Sequence, residues 1–196
     1  MLVLASASPR RQELLRNAGI PFAVQPADIP EVRRQGEAPG DFAMRLAREK
    51  AWAVFQQLST PAGTLVLGAD TIVVVDNEVL GKPTGPEDAF RMLRLLSGRW
   101  HQVITGVCLL GDISDNAQPQ PFAKAAAETT NVLFSALGDE EIRQYIATRE
   151  PLDKAGAYAI QGMASRWVPK IEGDYFNVMG LPVALVWRML CAQSGR

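Results

Sequence analysis

Residues 65–75, Leu-Val-Leu-Gly-Ala-Asp-Thr-Ile-Val-Val-Val, form an apolar, partly β-branched run broken only at Asp70-Thr71. The run does not alternate apolar with polar, so it suits a strand buried on both faces. A carboxylate inside it is costly unless it is paired, binds a metal or lines a cleft. Asp70 is thus the residue the rest of the chain must accommodate. Asp76-Asn77 supplies a two-residue hairpin turn, Glu78-Val79-Leu80 returns, and Gly81-Lys82-Pro83 closes the hairpin. This pairing brings Lys82 toward the same end, where it could form a structural ion pair with Asp70 or join it in a polar pocket.

Two further segments offer positive charge for that pocket. Met1–Ala5 is a short apolar run fit for a buried strand, and Ser6-Ala7-Ser8-Pro9-Arg10-Arg11 leads into a helix that stops near Gly19. Ser8 suits the N-cap and Pro9 the first helical position. Arg10 and Arg11 then fall in the first turn, where the macrodipole disfavours cations. Two hydroxyls, free N–H groups and two arginines there suit a phosphate chain. The plainer alternative is a surface helix start whose arginines face solvent.

The second segment is a helix capped by Asp41 and running to about Leu58. Phe42, Ala43, Leu46, Ala47, Ala51, Val54 and Leu58 recur at helical spacing, and Lys50 falls within that apolar stripe. Arg45, Arg48 and Glu49 fall on the opposite face. A lysine among core positions must snorkel, pair with a carboxylate or reach into a polar pocket. The proline-bearing stretch from Gln25 to Gly40, with Glu31 in it, reads as a loop beside a site. A lone acid there would ordinarily be solvated.

Later residues predict a helix from about Pro86 to Leu96, strands over 103–110 and 124–134, and a polar loop over 111–121. A helix from Asp139 to about Ala147, short strands over 155–160 and 167–171, and a last helix from Leu181 to about Cys191 follow. His101, the sole histidine, has no nucleophile to activate and reads as structural. Cys108 and Cys191 have no metal-type spacing and point to a reducing compartment. A net charge of −1 argues against nucleic acid as a partner, and no run is long enough to span a bilayer. With no signal peptide evident, the expected location is cytoplasmic. What remains is carboxylates with Lys and Arg, equipment for phosphoryl transfer with a hard divalent cation.

Taken in order, Ser6–Arg11, Gly68-Ala69-Asp70-Thr71, Gly81-Lys82-Pro83, Glu150–Tyr158, Ile160-Gln161-Gly162 and Gly173–Pro182 resemble the Maf family of nucleoside triphosphate pyrophosphatases. The likeness covers residues 2 to about 187. It implies one domain over 1–196 with a mixed, twisted α/β sheet flanked by helices, in two lobes with a cleft. It also implies hydrolysis of a nucleoside triphosphate at the α–β bond with Mg²⁺ or Mn²⁺. Asp70 matches the family's proton acceptor, with Glu31 as its companion at the metal. Ser6, Arg11, Glu31, Lys50 and Lys82 match the phosphate-handling positions, and Ser8 at the helix start is a further substrate-binding candidate. Relatives often carry an acid just before the glutamate; this chain has Pro30.

Arg10, Thr71 and Gln161 match the positions that distinguish branches, and they resemble the branch acting on dTTP and UTP, with CTP and modified pyrimidine nucleotides as further candidates. A neutral amide at Gln161 both donates and accepts, which suits a uracil or thymine edge. The family implies a house-cleaning role linked to cell-division arrest, and a homodimer. Two rivals stand beside this reading: a non-hydrolysing nucleotide-binding regulator of cell division, and a structural domain with a buried Lys50–Asp70 pair.

Overall fold

The computed structural model describes residues 1–58, 63–112 and 121–193. In chain order the elements are β1 (Leu2–Leu4), α1 (Pro9–Asn17), β2 (Ala23–Val24), α2 (Pro39–Phe55), β3 (Leu65–Val75) and β4 (Glu78–Leu80). They continue with α3 (Pro86–Leu96), β5 (Trp100–Asp112), β6 (Pro121–Leu133), α4 (Asp139–Ala147), β7 (Lys170–Glu172), α5 (Tyr175–Met179) and α6 (Val183–Gln193). Short 3₁₀ turns occupy Glu150–Asp153, Ala155–Ala157 and Met163–Trp167. The seven-stranded sheet has the order β2-β1-β3-β5-β6-β7, with β4 paired to β3. It is mixed: β1 runs parallel to β2 and β3, while β4 is antiparallel to β3 and β7 to β6. The fold class is therefore mixed α/β.

The chain divides into two compact units, one from Met1–Asp70, Thr105–Glu128 and Gly180–Arg196, the other from Thr71–Ile104 and Thr129–Met179. In the first unit, Val3 and Ala5 after β1's start, Val66 of β3, Cys108 and Leu110 of β5, and Ala47, Ala51 and Val54 of α2 share a core. Glycine lets α2 lie close to the strands. A Cβ on Gly68 would collide with the Ala47 carbonyl oxygen and the Ala51 backbone nitrogen, and one on Gly106 with the Ala43 carbonyl. These are backbone atoms and cannot swing aside. Gly68→Val is therefore expected to destabilise the fold by about 3 kcal/mol or more, read as a lower urea midpoint. Gly40→Ala, whose added Cβ meets nothing within 4 Å, should leave the midpoint unchanged or raise it.

In the second unit, β3's second half, α3, α4 and the 3₁₀ turns bury Val73, Leu93, Leu96, Phe134, Ile142, Tyr145 and Trp167 together. His101 is buried there, with Nε2 2.9 Å from the Tyr158 hydroxyl and edge contacts to Phe134 and Tyr158. Burial pushes its pKa down to about 4, so the ring is a neutral core group. The structural reading of His101 holds.

Several boundaries differ from expectation for identifiable reasons. Asp41 sits in the first turn of α2; Ala38 is the N-cap and Pro39 opens the helix, so proline sets the start. The 155–160 stretch is no strand, because Gly156 takes a φ of +66° inside a 3₁₀ turn and donates to the Gly81 carbonyl at 3.0 Å. Of 167–171, only Lys170 and Ile171 belong to a strand, since Trp167 ends a 3₁₀ turn. The Asp76-Asn77 turn is confirmed by φ values of 49° and 64°, which twist the β3–β4 hairpin as a two-residue turn requires. The 111–121 loop falls mostly outside the described residues.

Candidate active site

Side chains alternate along β3, so Gly68 and Asp70 share a face, the one that meets α2. On α2, Ala47, Lys50 and Ala51 lie one turn apart on the buried stripe. The close seat of α2 on Gly68 thus sets Lys50 against Asp70. The Lys50 Nζ donates to Asp70 Oδ1 at 2.6 Å and to Glu31 Oε1 at 2.6 Å. Lys50 is 8 % exposed and Asp70 5 %, whereas the Glu31 side chain is half open. Lys50 therefore pairs with carboxylates instead of snorkelling, and it, not Lys82, is the ionic partner of Asp70.

Burial is the main influence on Asp70 and raises its pKa; the Lys50 and Arg11 cations pull the other way, and Glu31 adds to the rise. One ammonium between two carboxylates leaves a negative excess. Arg11 offsets it from the next peptide: its Nη1 donates to the Ala69 carbonyl at 2.9 Å and to Ser6 Oγ at 3.1 Å, and its Nε to the Gly180 carbonyl at 2.8 Å. Burial lowers the Arg11 pKa, with Asp70 opposing, and an arginine still keeps its proton.

The Ser6–Pro9 turn is built as its sequence suggests. Ser8 is the N-cap of α1, its Oγ accepting from the Arg11 N–H at 3.5 Å, and Pro9 is the first helical residue. Ser6 Oγ accepts from the Ser8 N–H at 3.3 Å, closing the turn. Arg10 is half-buried and Arg11 buried, so the plain reading of both arginines as solvent-facing fails for Arg11.

Ser6, Ser8, Arg10, Arg11, Glu31, Lys50 and Asp70 all belong to the first unit. Thr71, Lys82 and Gln161 belong to the second. There Lys82 is exposed, in the segment whose Gly81 carbonyl accepts from the Gly156 N–H. Gln161 is exposed in the turn before Met163–Trp167. That turn is held by Glu150, whose Oε1 accepts from the Tyr145 hydroxyl at 2.8 Å and from the Met163 N–H at 3.2 Å.

Periodicity and motifs did not single out Arg45 and Glu37, which bond to each other, with Arg45 also bonding the Val32 carbonyl in the loop that carries Glu31. Helical periodicity put Arg45 on the polar face, yet its side chain is only 14 % exposed, because the loop before α2 folds back over it. Only the Arg45–Glu49 spacing of four residues hinted at a pair. Among the described residues, no group of three or more His, Cys, Asp or Glu is placed to hold a metal ion, and no helix is long and apolar enough to cross a membrane.

A family profile described as "Maf-like protein" matches residues 1–193. A protein of Koribacter versatilis named dTTP/UTP pyrophosphatase is 55% identical over 189 residues, covering 96% of this chain and 92% of its own length. One of the same name from Geobacter metallireducens is 52% identical over 185 residues, covering 94% and 92%. Among solved structures, a nucleoside-triphosphatase (dITP/XTP pyrophosphatase) of Mycobacterium abscessus aligns over 67% of this chain and 73% of its own, at 13% identity and a TM-score of 0.35.

Proposed function

The chain belongs to the Maf family, and from that membership we propose that it hydrolyses dTTP and UTP at the α–β phosphoanhydride bond, releasing the nucleoside monophosphate and pyrophosphate. The observation that carries the chemistry is the buried Lys50 ammonium held at 2.6 Å from both Asp70 and Glu31. Two carboxylates already converging on one positive charge suit a hard divalent cation, Mg²⁺ or Mn²⁺. With only two protein carboxylates, its other ligands would be waters and phosphate oxygens, the usual habit of Mg²⁺. Glu31 and Asp70 would hold that ion, which when bound neutralises charge on the phosphates.

Asp70 takes a proton from the attacking water as the water oxygen bonds to phosphorus and the bridging P–O bond breaks. Its raised pKa makes it a stronger base than an ordinary aspartate. Lys50 favours the ionised form of Asp70 against the effect of burial and fixes its orientation. Ser6, Ser8, Arg10 and Arg11 at the start of α1, with Lys50 and Lys82, bind the triphosphate and spread its charge. Thr71 and Gln161, with Arg10, discriminate among bases; the Gln161 amide matches a uracil or thymine edge. A cytoplasmic homodimer acting on a small nucleotide completes the reading.

Pyrophosphate release from dTTP, UTP, CTP, GTP and 7-methyl-GTP, with Mg²⁺ or Mn²⁺, tests it. Rates on dTTP and UTP should exceed those on GTP and 7-methyl-GTP by about tenfold or more, as polar base readout allows. Equal rates across the panel would remove the pyrimidine preference. Tight binding with no metal-dependent release would favour a nucleotide-binding regulator.

A further inference from the structure

We infer that Arg45 is a positioning residue that holds Glu31 against Lys50, an inference that rests on the proposed role of Glu31 at the metal and phosphates. Glu31 lies in an irregular stretch, with no helix or strand to fix it. Arg34 ties this stretch to α2 through Glu49 at 3.3 Å, at an exposed position, and the Arg45 guanidinium of α2 reaches out to the neighbours of Glu31 from a more buried one. Arg45 Nη2 donates to the Val32 carbonyl at 2.9 Å, gripping the residue immediately after Glu31. The same Nη2 donates to Glu37 Oε2 at 2.9 Å and Nε to Glu37 Oε1 at 2.6 Å, a two-pronged bond that pins the loop's far end. Nη1 meets both Glu49 oxygens at 3.0 Å, one turn along α2. All five N–H donors of Arg45 are thus engaged.

Glu37 in turn shapes the segment between. Its Oε2 accepts from the Arg34 N–H at 3.0 Å, and its backbone carbonyl accepts from Arg33 Nε at 2.9 Å. The Glu37 N–H donates to the Arg34 carbonyl at 3.2 Å, and Gly36 supplies the turn with a φ of +75°. The Arg45 hydrogen bonds hold the Glu37 carboxyl well below the usual carboxylate range, at about 2. Lys50, five positions along the same helix, meets the Glu31 carboxylate itself at 2.6 Å. Arg45 thus holds the carbonyl of Val32, next to Glu31 in the chain, while Lys50 holds the Glu31 carboxylate. Lysine cannot replace Arg45, because a single ammonium cannot address two carboxylates and a carbonyl in a planar fork.

The test compares Arg45→Gln, Glu31→Gln and the double variant. Arg45→Gln should lower kcat about 10- to 100-fold and raise the Mn²⁺ concentration needed for half-maximal rate by a similar factor, with KM for dTTP little changed. In the Glu31→Gln background the same change should cost less than about twofold, because there is no carboxylate left to position. Mn²⁺ binding followed by electron paramagnetic resonance, without nucleotide, should weaken in parallel. Amide hydrogen exchange at Arg34 and Glu37 should quicken while exchange in β3 stays slow. Full additivity of the two changes, or unaltered Mn²⁺ binding and kcat in Arg45→Gln, would overturn the inference. If the unaltered protein releases no pyrophosphate from any nucleotide, the proposed function fails by itself. The exchange and Mn²⁺ measurements then still decide the role of Arg45.

Discussion

Asp70→Asn is expected to lower pyrophosphate release by about 10³-fold or more while leaving the protein folded. The change is nearly isosteric, so the packing of β3 against α2 is kept. What is lost is a negative charge and a base, since an amide takes no proton from water and is a poor ligand for a hard cation. Stability should hold for a reason visible in the pKa. The folded pKa of Asp70 is raised, chiefly by burial, so its contribution to stability is fully present below the unfolded value and is lost as pH rises through the folded one. Near neutral pH the ionised carboxylate is therefore a cost, and a neutral amide removes it. Lys50 keeps Glu31 as a partner at 2.6 Å. Thermal unfolding at pH 7 should show Asp70→Asn within a few degrees of the unaltered protein or above it. In the unaltered enzyme the rate should fall as pH drops and Asp70 takes up a proton, and that acid limb should disappear with Asp70. A folded Asn variant retaining more than about a tenth of the activity would end the assignment of Asp70 as base.

The Lys50–Asp70 pair was legible in the sequence because both residues break a rule that costs free energy. One is a cation in an apolar helical stripe, the other a carboxylate in an apolar strand, and each needs a partner. The choice of partner was left open between Lys82, through hairpin closure, and Lys50, and the contact of α2 with Gly68 makes it Lys50. Helix α1, with Ser8 and Pro9 at its start, was legible for the same local reason. Glu31 was not, since a single acid in an irregular loop breaks no rule, and only the likeness to Maf proteins singled it out. Arg45 was less legible still. Periodicity counts it as polar-facing, and its burial depends on residues 32–37 folding back, which no helical pattern encodes. Arg11 shows the same limit at longer range, since its acceptors at Ala69 and Gly180 lie 58 and 169 positions away.

Lys50→Met should destabilise the fold by about 3–5 kcal/mol near pH 7 and abolish turnover, because it leaves the buried Asp70 carboxylate without its nearest countercharge. Methionine fills the same stripe, so packing contributes little to that figure. The loss should depend on pH with a definite sign. Removing Lys50 takes away an influence that lowers the Asp70 pKa, so the folded value climbs further above the unfolded one. The deficit relative to the unaltered protein should then grow as pH rises past the ordinary carboxylate range and shrink as pH falls and Asp70 is protonated. Urea unfolding at pH 4.5 and pH 7.5 reads it directly. The double variant Lys50→Met/Asp70→Asn should recover most of the stability at pH 7.5, since no unpaired charge remains, yet recover none of the turnover. A deficit under about 1 kcal/mol at pH 7.5, or one equal at both pH values, would mean that Lys50 is not the countercharge of Asp70. Recovered stability without recovered turnover separates the two roles of the pair: a merely structural ion pair would be replaceable by neutral groups with nothing lost, whereas a pair kept for chemistry tolerates the replacement only in the fold.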